Sequence, residues 1–328
     1  MSEIDYTRKE RNIVSVSGGK DSTALLLLAI ERQVPNLKAV FADTGHEHEQ
    51  TYAYVQYLND SVFPIQTIRA DFTAQVLAKR QRLQGYLEGV TDRFSSGWTQ
   101  EALERAVQAL EPTGNPFLDL CLWKGRFPST KVLFCSEELK QKPIVAMQQA
   151  ILAAGENIMS WQGVRADESA SRALLGEINI AQQHESGAVM WNYRPILQWK
   201  AEDCFAMHRK HGVKPNPLYE QGMGRVGCMP CIHARKDELL EIAKRFPAEI
   251  KRVAEWERIV GKASKREAST FFAATDLGFM HNDHRAQEQA SILHFVKWAK
   301  TSRGGRQTDF IREAPEFEAC SSIYGLCE

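Results

Sequence analysis

The sequence has no excess of charge of either sign, no long apolar run and no repeated or low-complexity segment. Lysine plus arginine and aspartate plus glutamate number 41 each in 328 residues, so total charge does not indicate binding to nucleic acid or to a membrane surface. No apolar run approaches the ~20 residues of a membrane span. The first residues also lack the basic and then apolar order of a signal peptide. These absences favour a cytoplasmic protein with no membrane partner.

Residues 12–32 predict a buried strand, a glycine turn and a helix in immediate succession. Such a turn points backbone N–H groups and the positive end of the helix at one place, where an anion is stabilised. Gly18 and Gly19 can take positive φ and allow close approach of the anion. The side chains that add a charge or a hydroxyl donor are Lys20, Ser17 and Ser22. The segment therefore predicts a site for the phosphates of a nucleotide.

Asp21 is the unexpected member of this turn, because a carboxylate beside a phosphate is unfavourable unless a cation lies between them. Mg²⁺ meets that need, so we expect ATP bound with Mg²⁺. The spacing differs from the Walker A pattern of P-loop NTPases. Residues 17–22, Ser-Gly-Gly-Lys-Asp-Ser, instead resemble the pyrophosphate loop of the ATP pyrophosphatase (PP-loop) superfamily. A glycine turn without chemical consequence is the alternative interpretation.

The order of predicted elements indicates an α/β fold, a doubly wound parallel sheet with helices on both faces. Further strands are predicted at 37–42, 65–68 and 158–164, and helices at 50–59, within 72–128, and at 201–211, 236–245 and 247–260. The resemblance to PP-loop (HUP-like) proteins covers residues 11–235. Residues 236–328 are then a helical C-terminal extension with a cysteine-bearing tail.

Asp43-Thr44-Gly45 follows the second predicted strand, at the sheet edge where ligands of such folds bind. The histidines and acids of residues 46–49 could hold a metal, or could form an ordinary helix N-terminus. Asp-Thr-Gly followed by Glu-x-Thr-Tyr is similar to the second motif of the phosphoadenosine phosphosulfate (PAPS) reductase and ATP sulfurylase branch of the superfamily. That resemblance implies that Asp43, Thr44 and Gly45 contact the nucleotide.

Residues 163–172 follow the strand predicted at 158–164 and resemble the third motif of the same branch, Gly-x-Arg-x-x-Glu-Ser-x-x-Arg. Its arginines, here Arg165 and Arg172, are expected to meet a phosphate or sulfate, because a guanidinium donates two parallel hydrogen bonds to an oxyanion. They are close to two helical turns apart, so they could share a helix face. Surface ion pairs with Asp167 and Glu168 are the alternative.

Seven cysteines in a reducing compartment favour metal, cluster or redox chemistry over disulfides. Cys228 and Cys231 form a Cys-x-x-Cys pair, which can bind zinc or an iron–sulfur cluster. In cluster-bearing relatives, including the DNA phosphorothioation adenylylases, a cysteine placed like Cys135 joins such a pair. Resemblance thus implies a [4Fe-4S] cluster, with zinc or plain structural thiols as the alternatives. Cys320 or Cys327 could supply a fourth ligand. Cys121 and Cys204 are predicted to be buried core thiols.

The intact loop favours cleavage of ATP to AMP and pyrophosphate, with AMP passed to an acceptor. Lys20, Asp21 and Arg165 are the expected catalytic residues. In PAPS or adenosine phosphosulfate reductases this loop usually departs from Ser-Gly-Gly-x-Asp-Ser, and a nucleophilic cysteine lies in a C-terminal Glu-Cys-Gly-x-His segment, which is absent here. A thiol-dependent reductase is the alternative. A nucleic-acid-binding module around residues 303–306 is a third hypothesis, and the acceptor, sulfur donor and protein partner stay open.

Overall fold

A six-stranded sheet forms the centre of the computed structural model, which describes residue 5 and residues 7–273 and 290–301. Its strands are β1 (Glu10–Val16), β2 (Leu37–Asp43), β3 (Ile65–Arg69), β4 (Asn157–Trp161), β5 (Ile178–Gln183) and β6 (Val189–Tyr193). Their order across the sheet is β3-β2-β1-β4-β6-β5. All neighbouring strands are parallel except β5, which pairs antiparallel with β6 at one edge. The predicted doubly wound α/β fold is confirmed.

Helices occupy both faces of the sheet and a separate helical layer. They are α1 (Lys20–Glu31), α2 (Glu49–Ser61), α3 (Thr73–Leu87), α4 (Gln100–Ala109), α5 (Pro116–Lys124), α6 (Phe134–Ser136), α7 (Lys142–Ala153), α8 (Ala170–Ala173), α9 (Ala201–Lys210), α10 (Lys236–Arg245), α11 (Pro247–Lys262) and α12 (Ile292–Ala299). A π-helical turn, Glu137–Gln141, joins α6 to α7. Among the described residues, no helix is long and apolar enough to cross a membrane.

The pattern of β-branched and leucine side chains explains how α1 is fixed against β1. Val14 and Val16 point to one face of the sheet, where they pack against the leucines of α1 and against α9. Ile13 points to the other face and packs with Leu152 of α7. Because α1 is buried along nearly its whole length, the turn that precedes it is held between two fixed elements.

A second, larger core lies among the helices rather than on the sheet. It joins α3, α4 and α5 to α10, α11 and α12 through buried leucine, phenylalanine and tryptophan side chains. Helices on both sides of the predicted boundary at residues 235 and 236 therefore share one core. The predicted extension is packed against the rest of the chain as far as the structure describes it.

The sheet departs from the sequence expectation at β5 and β4. The strand predicted at 158–164 ends at Trp161, and residues 162–164 already belong to the loop that follows. β5 was not predicted, because four of its six residues are polar or alanine and most of the strand is exposed. An exposed edge strand lacks the apolar run that marks a buried parallel strand.

Glu257 of α11 joins two distant parts of the helical layer. Its carboxylate accepts the backbone N–H of Phe271 at 2.8 Å and that of Ile292 at 3.0 and 3.1 Å. Burial outweighs these two donors and raises the pKa of Glu257 to about 7. The Glu257 carboxyl group therefore binds its proton more tightly in the folded state than in the unfolded state.

We expect the free energy of unfolding to fall as pH rises from 4.5 to 7, because the buried carboxyl must ionise in that window. A pKa rise from 4.5 to about 7 corresponds to about 3 kcal/mol. Urea unfolding of Glu257→Gln, which has no proton to lose, should show a flatter pH profile there. Glu255→Gln, on the exposed face of the same helix, should keep the wild-type slope. Equal slopes for wild type and Glu257→Gln would contradict the assignment.

Candidate nucleotide-binding site

The loop between β1 and α1 lies at the carboxyl ends of the parallel strands, where ligands of open α/β sheets bind. Gly18 has φ +75°, and a Cβ there would lie 3.0 Å from Cγ2 of Thr51 on α2, so glycine is required. Gly19 is the N-cap of α1 and supplies no side-chain cap. The first-turn amides of Asp21 and Ser22 are thus left for an anion.

Ser17 and Ser22 shape this loop from within. The Ser17 N–H donates to Ser22 Oγ at 3.0 Å, and the Ser22 hydroxyl donates to the carbonyl of Gly19 at 3.1 Å. The two hydroxyl oxygens lie 3.1 Å apart, so the Ser17 hydroxyl donates to Ser22. Both predicted hydroxyl donors are used inside the loop in this state.

Asp21 faces two cations that the chain itself supplies. Arg165 Nε lies 2.6 Å from Asp21 Oδ1, a close ion pair whose N–H is not aligned as a hydrogen bond. Lys20 Nζ lies 3.4 Å from Oδ2, and the Cys204 thiol donates to Oδ1 at 3.3 Å. Arg165 is only 5% exposed and also bonds Asp167 at 2.8 Å. The three predicted catalytic residues therefore lie together, and much of the positive charge that Asp21 requires comes from Arg165.

Arg172 lies apart from this group. Ser169 is extended, so residues 165–172 form a short turn and the separate helix α8 rather than one helix. The prediction that Arg165 and Arg172 share a helix face is wrong for this reason. Arg172 is exposed and pairs with Glu168, the ion pair that the alternative interpretation expected. Its contact with nucleotide stays a prediction.

The turn after β2 is organised by two carboxylates. Asp43 Oδ1 accepts the Gly45 N–H and the Tyr52 hydroxyl, both at 2.8 Å. Glu47, which is buried, accepts the Thr44 N–H at 3.2 Å and the Thr44 hydroxyl at 2.7 Å. The predicted nucleotide-contacting residues thus form a fixed turn beside the loop of residues 17–19, on the adjacent strand.

Gly45→Ala should lower the free energy of unfolding by about 2–4 kcal/mol, because φ is +73° and the added Cβ would meet Pro116 Cδ at 2.7 Å. Gly89→Ala is the matched control, since Gly89 has φ +90° with no atom within 4 Å of the added Cβ. It should cost about 1–2 kcal/mol from backbone strain alone. Urea unfolding separates the two, and equal losses would show that the Pro116 contact is harmless.

The two histidines of this segment have structural partners. His46 is 1% exposed, and its Nε2 donates to the carbonyl of Pro230 at 2.9 Å while Nδ1 accepts from Arg252 at 3.2 Å. Burial lowers the pKa of His46 to about 3, so the ring is neutral. His48 caps α2 by accepting the Gln50 N–H at 3.2 Å. Because these ring nitrogens are engaged, the helix N-terminus interpretation is favoured over the metal interpretation.

Three predicted metal ligands, Cys135, Cys228 and Cys231, lie around Lys140 of the π-helical turn. Interaction with these cysteines, Cys228 first, and with Glu47 raises the pKa of Lys140, whose ammonium lies 3.8 Å from Glu47 Oε1. Burial raises the pKa of the Cys228 thiol, which donates to Glu47 Oε1 at 3.8 Å. Within residues 7–273 and 290–301, no three histidine, cysteine or acidic side chains are arranged to hold a metal ion. In the described residues, these three thiols are therefore not arranged as ligands of one metal ion. The other two predicted ligands, Cys320 and Cys327, lie outside the described residues.

Comparison with known proteins decides the family. The profile of the phosphoadenosine phosphosulfate reductase domain matches residues 11–234. The chain belongs to this family. The match contains the loop of residues 17–22, the Asp43 turn and Arg165, the features that lie together in the structure. Family membership makes the chain a PP-loop nucleotide-binding protein related to enzymes of sulfate reduction or adenylyl transfer.

Individual relatives span a wide range of similarity. The chain is 47% identical to an uncharacterized 37.8 kDa protein of Escherichia phage 186, over 97% of this chain and 96% of that protein. It is 23% identical to a phosphoadenosine 5'-phosphosulfate reductase of Yersinia enterocolitica, over 62% and 64% of the two chains. A PAPS reductase structure from Candida auris matches with TM-score 0.37 and 16% identity, over 66% of this chain and 81% of that one. The chain spans less than half the length of two Methanocaldococcus jannaschii relatives, 43% and 44%.

Several residues of the site were not predicted to belong to it. Cys204 was expected to be only a core thiol, yet it bonds Asp21. Tyr52 is the tyrosine of the Glu-x-Thr-Tyr motif but was given no role, and its hydroxyl donates to Asp43 at 2.8 Å. Tyr219 and Asn216 reach the loop from about 200 residues away, which no local pattern reveals.

Proposed function

We propose that the protein cleaves ATP between the α- and β-phosphates and transfers AMP to an acceptor in sulfur metabolism or sulfur transfer. The intact loop of residues 17–22, with Asp21 held by Arg165 and Lys20, is the observation that carries this proposal. The resemblance implies that reductases, from which no pyrophosphate leaves, usually lose this loop pattern. We also propose that residues 11–235 contain the chemistry and that the protein acts in the cytoplasm.

In this proposal the loop stabilises charge that develops on the departing pyrophosphate. The amides at the start of α1 and the ammonium of Lys20 supply positive potential fixed before the reaction begins. Arg165 holds Asp21 through the 2.6 Å ion pair, and its guanidinium would orient the α-phosphate or the attacking oxyanion. Arg172 would meet the acceptor side of the site.

Mg²⁺ fits this site as the counter-ion of ATP rather than as a resident ion. Both oxygens of Asp21 already face Arg165, Cys204 or Lys20, so the carboxylate is not open for direct coordination. Mg²⁺ bound to the phosphates would neutralise part of their charge when the nucleotide enters.

Labelled nucleotides test the proposed function. Purified protein is incubated with α-labelled ATP and Mg²⁺, with sulfate, thiols, nucleic acid and cell extract as acceptors, and pyrophosphate and labelled AMP, either free or attached to the acceptor, are measured. Formation of both products that depends on one acceptor supports the proposal. Absence of both, together with thiol-dependent sulfite release from PAPS or adenosine phosphosulfate, would replace it with reductase activity.

Reductase activity is the second candidate because several relatives are named for it, including the Yersinia enterocolitica protein. The cysteines near Lys140 could serve such chemistry with an external thiol or protein partner as sulfur donor or reductant. Iron, sulfide and zinc analysis of anaerobically purified protein tests the predicted cluster at Cys135, Cys228, Cys231, Cys320 and Cys327. If the sample contained no metal and these thiols reacted with an alkylating reagent, the cluster hypothesis would be rejected.

A further inference from the structure

Three buried side chains make hydrogen bonds to the backbone on either side of Lys20. The proposed mechanism assigns them no role. The Lys20 N–H donates to the hydroxyl oxygen of Tyr219 at 2.9 Å. His208 Nε2 donates to the carbonyl of Lys20 at 3.0 Å, and Asn216 Nδ2 donates to the carbonyl of Gly18 at 3.1 Å. Tyr219, His208 and Asn216 are each no more than 1% exposed. Solvent therefore does not compete for these bonds.

The three side chains come from a single stretch of chain. His208 lies on α9, Asn216 caps the short 3₁₀ turn Pro217–Tyr219, and Tyr219 is the last residue of that turn. Asn216 Oδ1 also accepts the Leu218 N–H at 3.1 Å, so its amide group joins this turn to the loop. The ring of Tyr219 packs edge-on against Phe205 of α9, with ring centres 5.5 Å apart. The donors and acceptors are therefore fixed before any ligand arrives.

The Tyr219 hydroxyl lies directly beside the start of α1. A Cβ on Gly19 would lie 3.4 Å from this hydroxyl, which is an ordinary van der Waals contact. The Lys20 amide is the first of the helix amides that have no acceptor within the helix. Since Tyr219 accepts it, the donors left for an anion are the amides of Asp21 and Ser22.

We infer that Tyr219 is a positioning residue that fixes the first peptide group of α1, so that the Asp21 and Ser22 amides and the Lys20 ammonium face the pyrophosphate group of the nucleotide. His208 and Asn216 fix the neighbouring carbonyls in the same way. The inference rests on the proposed nucleotide site, and it holds whichever bond of the nucleotide is cleaved.

Calorimetric titration of Tyr219→Phe tests this inference. The variant keeps the ring and leaves the Lys20 N–H without its acceptor, so we expect roughly tenfold weaker binding of ATP and of inorganic pyrophosphate. Binding of adenosine, which has no phosphate, should be unchanged. Amide hydrogen exchange in residues 17–25 should become faster. Asn216→Ala should show the same selectivity, because it releases the Gly18 carbonyl.

Ser264→Ala is the control. Ser264 is also buried and its hydroxyl donates to the carbonyl of Gly261 at 2.8 Å in the helical layer, so the variant loses one buried hydrogen bond away from the loop. Equal loss of pyrophosphate affinity in both variants, or unchanged affinity in Tyr219→Phe, would overturn the inference alone. Wild-type protein that binds neither pyrophosphate nor any adenine nucleotide would overturn the nucleotide site and the inference together. Sulfite release from PAPS or adenosine phosphosulfate, with no pyrophosphate formed from ATP, would overturn only the proposed function.

Discussion

Lys20→Met should lower the rate of nucleotide cleavage by roughly 10²–10³-fold while the protein stays folded, because the variant keeps the apolar stem and loses the charge. Lys20 is buried at the start of α1, and its ammonium lies 3.4 Å from Asp21 and 5.4 Å from the centre of the Tyr219 ring. A cation in this place acts mainly on charge that develops in the transition state. The loss should therefore fall on kcat more than on KM. Initial rates with α-labelled ATP, or with PAPS if that is the substrate, measure it.

Lys79→Met is the control for the cost of removing a buried ammonium. Lys79 is similarly buried, and it donates to the carbonyl of Leu122 at 2.7 Å in the helical layer rather than at the loop. This variant should lose stability but keep the rate of the folded fraction. If the two variants lost activity in proportion to their stability, Lys20 would have a structural role and not a catalytic one.

The sequence predicts the centre of this fold well because its signals there are local. The strand, glycine turn and helix of residues 12–32 follow from burial pattern and glycine content, and the first three strands and their helices lie within a few residues of the predicted bounds. The motifs at Asp43 and Arg165 fall at the ends of β2 and β4, as the parallel topology requires.

The parts that the sequence does not predict depend on contacts between distant segments. Arg165 and Asp21 are paired across two neighbouring strands, and nothing local distinguishes that arginine from the exposed Arg172. His46 has the residue types of a metal site around it, but burial against Phe117 and Trp256 makes it a neutral core residue. The π-helical turn that places Lys140 beside the thiols also has no signature in composition or spacing.

Arg165→Met should cost about 3 kcal/mol of stability and also reduce nucleotide cleavage by roughly 10²-fold. The stability loss arises because Asp21 is left partly buried without its closest cation. Arg194→Met is the control, since Arg194 is as buried as Arg165 but bonds the carbonyl of Gly176 and the side chain of Asn179. It should lose stability by a comparable amount with a smaller loss of kcat.

A double-mutant cycle with Asp21→Asn separates the two effects of Arg165. An asparagine needs no cation, so the double variant should be more stable than the sum of the single losses predicts, by about 1–3 kcal/mol. Nucleotide cleavage should not recover, because the cationic group beside the phosphates is still missing. Recovery of both stability and rate would mean that Arg165 serves only to neutralise Asp21. Recovery of neither would mean that the 2.6 Å contact contributes little to the energy of the folded state.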